Sequence, residues 1–86
     1  MGNYEILFKR SVKKDLQGIP QKDIQKILKR ITALAENPRP SISENLTAKE
    51  EYRVHQGVYR ILYTVDDKER QITIIKIAHR NKAYKN

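Results

Sequence analysis

"YRVHQGVYRILYTV", residues 52–65, decides the fold of this chain. Both halves alternate apolar and polar side chains and are rich in β-branched and aromatic residues. The Gln56-Gly57 step between them is turn chemistry, so the stretch predicts a β-hairpin. Period two then assigns Tyr59, Ile61, Tyr63 and Val65 to one face of the second strand, as core, and Arg60, Leu62 and Thr64 to the other. On the first strand Arg53 and His55 share a face, and joining them to Arg60 requires one particular hairpin register. Any one of the three is an ordinary solvated strand residue. Together, with no carboxylate nearby, two guanidinium groups and an imidazole repel one another, and the arrangement is expected to await an anion.

Working outward, residues 4–8, "YEILF", predict a short strand. Val12, Leu16 and Ile19 make a narrow apolar stripe on a short helix that Gly18 is placed to end. Pro20 suits the first turn of a second helix. There Ile24, Ile27, Leu28, Ile31, Leu34 and Ala35 repeat at helical spacing until Asn37 and Pro38 stop it. Residues 38–50 read as a polar connection with Leu46, and less so Ile42, as apolar anchors. Strands are expected over residues 51–56, 59–66 and 71–78, with a turn around Asp67, Lys68 and Glu69. The predicted order is β-α-α-β-β-β. It gives an α+β fold in which a two-helix hairpin covers one face of a mainly antiparallel four-stranded sheet.

At 86 residues the chain has room for one domain, residues 1–86, which buries only about two-thirds of the surface of its unfolded form. With 38% apolar residues, one Phe and no Trp, the core must come from Ile, Leu, Val and Tyr. The absence of Cys removes disulfides and thiolate metal sites. No apolar run approaches the roughly 18 residues of a membrane span, and "MGNYEILFKRSVKK" has no signal-peptide pattern, so a soluble, cytoplasmic protein without membrane contact is expected. Eighteen Lys and Arg against ten Asp and Glu give a net charge of +8, a polyanion-binding footprint.

That charge is uneven: residues 71–86 carry Lys76, His79, Arg80, Lys82 and Lys85 without one acid. An aromatic, Tyr84, beside guanidinium groups is equipment for holding an unstacked base while its phosphate is paired, which favours single-stranded RNA. There is no Gly-rich phosphate loop and no His pair at metal spacing, so neither a metal nor another cofactor is expected.

"YRVHQGVYRILYTVDD" (residues 52–67) and "IIKIAHRNKAY" (residues 74–84), in that order of elements, resemble the RelE toxins of the RelE/ParE toxin-antitoxin superfamily over nearly the full length. The resemblance implies a metal-independent endoribonuclease that cuts mRNA in the ribosomal A site. A ribose 2′-OH attacks the adjacent phosphate, giving a 2′,3′-cyclic phosphate and a 5′-OH. It also implies a RelB-like antitoxin that wraps the domain in a hetero-oligomeric complex, and contact with the ribosome and its 16S rRNA. Arg60 matches the family's phosphate-holding arginine, Arg80 the arginine at the leaving oxygen, and Tyr84 the tyrosine that orients the base. The chain runs only two residues past Tyr84, so the long C-terminal helix of some relatives is not expected.

Arg53 and His55 stand where the best-known branch has two lysines. An arginine stays protonated and can only stabilise negative charge. An imidazole, ordinarily titrating near 6.5, can accept the 2′-OH proton at neutral pH. The expected catalytic set is therefore Arg53, His55, Arg60, Arg80 and Tyr84, with Arg53, Lys76, His79 and Lys82 as RNA contacts and His79 as a second candidate acid. The alternative on the same fold is a ParE-like toxin that binds DNA gyrase and cleaves nothing.

Overall fold

The structure, a computed structural model, describes residues 3–46 and 51–83. Its elements are β1 (Glu5–Phe8), α1 (Arg10–Gln17), α2 (Gln21–Leu34), β2 (Glu44–Asn45), β3 (Glu51–Gln56), β4 (Tyr59–Asp66), β5 (Gln71–His79) and the single turn α3 (Arg80–Ala83). The strands form one sheet in the order β1-β5-β4-β3-β2. β1 runs parallel to β5 and every other pairing is antiparallel. The expected helical hairpin on a mainly antiparallel sheet is present, but with five strands rather than four. The additional strand, β2, pairs Glu44 with Arg53 and Asn45 with Tyr52. Two polar residues carry no alternation, so only backbone pairing defines it.

The core is the contact between the helix stripes and one sheet face. Val12, Ile27, Ile31 and Leu34 meet Val54, Ile61, Tyr63, Val65, Ile72, Ile74 and Ile77, all almost fully buried. Ile74 and Ile77 are three apart, which strict alternation would send to opposite faces. The ladder shifts register here: Leu62 opposes Lys76 while the next residue, Tyr63, opposes Ile74. Ile75 is thus the extra residue of a β-bulge, which lets both isoleucines turn inward. Pro20 stands just before α2 rather than in its first turn, and its carbonyl accepts the N–H groups of Asp23 and Ile24.

The β3–β4 turn is two residues long. Gly57 has φ +63° and Val58 does not share the left-handed backbone, the pattern of a type II′ turn. A Cβ on Gly57 would meet nothing within 4 Å, so any penalty comes from the backbone alone. Gly57→Ala is expected to cost roughly 1–2 kcal/mol in urea unfolding.

At the opposite end of the sheet Asp67 organises a polar cluster. Arg39 donates to both carboxylate oxygens (3.2 and 2.8 Å) and through Nε to the Tyr52 hydroxyl (2.7 Å), while the Tyr4 hydroxyl donates to Asp67 at 2.6 Å. The hydrogen bond from Arg39, then that from Tyr4, hold the Asp67 carboxyl below its usual range. A depressed folded-state pKa means stability that is present above the unfolded value, about 3.9, and lost as pH falls through the folded one. Asp67→Asn is therefore expected to melt below the parent protein at pH 7. The gap between their melting temperatures should close as both are taken towards pH 2.

Candidate anion-binding cleft

The hairpin register places His55 directly opposite Arg60, and Arg53 opposite Leu62. Directly paired residues of an antiparallel ladder point to the same face with Cβ atoms about 4.5–5.5 Å apart. Arg53, His55 and Arg60 thus gather on the sheet face away from the helices, as the anion-site expectation requires. On the other side of Arg60 the register partner is Ala78, whose methyl leaves room above the sheet for the arginine. Arg53, His55 and Arg60 line a cleft of 230 Å³ together with Ile42 and Glu44. That is below the roughly 300–1,000 Å³ of drug-sized sites and suits a small polar group.

Glu44 corrects the expectation that no carboxylate lies near these cations. It arrives from β2, pairs with Arg53 in the ladder, and accepts a hydrogen bond from the Arg53 guanidinium. That hydrogen bond, followed by the charges of Arg53, Arg60 and His55, holds the Glu44 carboxyl below its usual range. The carboxylate therefore lies in the field of both guanidinium groups. Two guanidinium groups against one carboxylate leave the cleft cationic. Nothing in the alternation of the hairpin points to Glu44 or Ile42. Only the fold of the preceding connection brings them in.

The other predicted residues are distributed differently. Arg80 opens α3, and its N–H donates to the Val58 carbonyl at 2.7 Å, tying the end of β5 to the hairpin turn beside His55 and Arg60. Lys76 pairs with Asp15 of α1 at 3.5 Å, and the same carboxylate accepts the Ile77 N–H at 3.1 Å. His79 opposes Tyr59, with their rings edge to face at 5.7 Å, and so lies on the helix-covered face. Its Nδ1 accepts the Asn81 N–H at 3.2 Å. The tie from Arg80 is through its backbone alone, and none of Arg80, Lys76 and His79 lines the cleft. Lys82 falls on α3, and Tyr84 lies outside the described residues.

The structure is thus a small basic α+β domain with two arginines and a histidine gathered in a cleft on its open sheet face. Comparison with known proteins gives its family. The family model described as ParE toxin of type II toxin-antitoxin system, parDE, matches residues 6–84. A Methanocaldococcus jannaschii protein assigned as a toxin, RelE1, is 34% identical over 96% of this chain and 97% of its own length. The archaeal RelE-RelB complex from Pyrococcus horikoshii contains a chain that superposes with a TM-score of 0.80 at 28% identity, covering 93% of this chain and 98% of that one. A chain of the intact Escherichia coli RelBE complex reaches 0.78 at 18% identity over 88% and 95%, a likeness of fold alone. This chain belongs to the RelE/ParE superfamily of type II toxins, as a RelE-type member.

Proposed function

We propose that the protein is the toxin of a toxin-antitoxin pair and acts as a ribosome-dependent endoribonuclease. The observation that carries this reading is the direct pairing of His55 with Arg60, flanked by Arg53, in one open cleft. His55 accepts the proton of a ribose 2′-OH. The 2′ oxygen bonds to the adjacent phosphorus as the P–O5′ bond breaks, and the departing O5′ takes a proton from solvent water, leaving a 2′,3′-cyclic phosphate and a 5′-OH. Arg60 and Arg53 stabilise the extra negative charge of the phosphorane, a task suited to fixed, permanently charged forks. Arg80, tethered beside the turn, supports charge on the leaving oxygen. The ribosomal A site would supply the strand in the required alignment, which is why the work falls in the cytoplasm.

The Pyrococcus horikoshii relative, solved as a RelE-RelB complex, supports an antitoxin partner for this chain as well. The gyrase-binding reading also has a specific observation behind it, the match to a ParE family model. Primer extension on translated message after induction, run beside a gyrase supercoiling assay, decides between them. Cuts within codons with unaffected supercoiling are expected. Poisoned gyrase with intact message would overturn the nuclease reading.

A further inference from the structure

The cleft already contains an oxyanion. Glu44 lines it, accepts a hydrogen bond from Arg53, and lies in the field of Arg60 and His55. A carboxylate and a phosphodiester offer a guanidinium the same chemistry, two oxygens matched to a fork of N–H donors. We propose that the Glu44 carboxylate is an internal stand-in for the substrate phosphate, a specificity device that keeps Arg53 neutralised and makes the cleft a poor site for RNA that merely diffuses in. The inference rests on the nuclease reading for its purpose, since it concerns the phosphate subsite of that reaction.

The geometry allows the stand-in to leave. β2 is two residues long and sits at the sheet edge, held by its pairing to β3 and by the Leu46 N–H to the Glu51 carbonyl (3.0 Å). The Glu44 side chain is 63% exposed, so rotation about its own bonds carries the carboxylate into solvent with the ladder intact. An exposed ion pair of this kind is weak, and displacing it costs only about 1.5- to fivefold in affinity. That small factor suffices to lower capture of free RNA. A strand delivered with further contacts outside the cleft overcomes it.

The test measures binding without cleavage, using a short single-stranded RNA with every 2′-OH methylated, by fluorescence anisotropy between 50 and 200 mM salt. Glu44→Gln is expected to bind roughly fivefold tighter than the parent protein. Its log affinity should fall more steeply with log salt, by about 0.7, as Arg53 becomes available to one phosphate. Glu44→Asp, with the carboxylate drawn back by one methylene, should give a smaller gain. Glu69→Gln, the same charge change in the distant β4–β5 turn, should stay within about twofold of the parent. In an Arg53→Met background the Glu44→Gln gain should vanish. Unchanged or weaker binding by Glu44→Gln, an equal gain in Glu69→Gln, or a gain that survives loss of Arg53 each overturns the proposal.

Cleavage of translated message by the same proteins separates this inference from the function it rests on. Tighter binding by Glu44→Gln with no cleavage by either protein removes the nuclease and leaves the counter-ion. Unchanged binding with normal cleavage removes the counter-ion and leaves the nuclease. Tighter binding with slowed cleavage would make Glu44 a reacting group and overturn its role as a stand-in.

Discussion

His55→Ala is expected to slow cleavage of ribosome-bound message by roughly 10²–10⁴-fold, the usual contribution of a positioned general base. The side chain is exposed at the end of β3, so its loss should change stability by no more than about 0.5 kcal/mol. The two effects are therefore separable. A thermal melt close to that of the parent protein, beside a large loss of rate, assigns the effect to chemistry. Wild-type cleavage by His55→Ala would remove the base from the mechanism and leave Arg53 and Arg60 as a binding site.

The largest expected loss of stability comes from Tyr63→Ala. Tyr63 is fully buried in the middle of β4, its ring stacks on Tyr52 with centroids 5.7 Å apart, and its hydroxyl donates to the Pro38 carbonyl at 2.7 Å. Truncating a buried aromatic costs about 3–5 kcal/mol. Typical domains have only about 5–15 kcal/mol in total. For a chain of this size that corresponds to a melting temperature lowered by more than about 12 °C. Tyr63→Phe keeps the ring and loses the hydrogen bond, at about 1–2 kcal/mol. Urea unfolding of the two variants separates packing from hydrogen bonding. A Tyr63→Ala protein within 1 kcal/mol of the parent would mean that this layer repacks freely.

The parts of the molecule legible in the sequence are those governed by periodicity. Alternation in β4 identified Tyr59, Ile61, Tyr63 and Val65 as the inward set, and helical spacing identified Ile24, Ile27, Leu28, Ile31, Leu34 and Ala35. The structure buries all of these except Tyr59 and Ile24, which are partly buried, and Leu28, which is exposed. What periodicity cannot carry is pairing. The partnership of His55 with Arg60 follows from the turn at Gly57, and the opposite placement of His79 follows from its pairing with Tyr59. Glu44 was hidden because a two-residue strand has no pattern of its own. The bulge at Ile75 was hidden because "ITIIKIA" reads as one continuous strand. The ion pair of Lys76 with Asp15, a pairing across 61 positions of sequence, is likewise revealed only by tertiary structure.

The order β1-β5-β4-β3-β2 has a temporal consequence. β5 follows the other described strands in the sequence, yet it occupies the position between β1 and β4 and supplies Ile72, Ile74 and Ile77 to the core. A nascent chain that has emerged only through β4 carries the Arg53-His55-Arg60 hairpin, but β1 has no neighbour to join and the helices have half a sheet to cover. A lone hairpin is marginal in water. Assembly must therefore wait until residues 71–79 are also free to pair. Strand order alone thus delays the appearance of a competent cleft until β5 is available to complete the sheet.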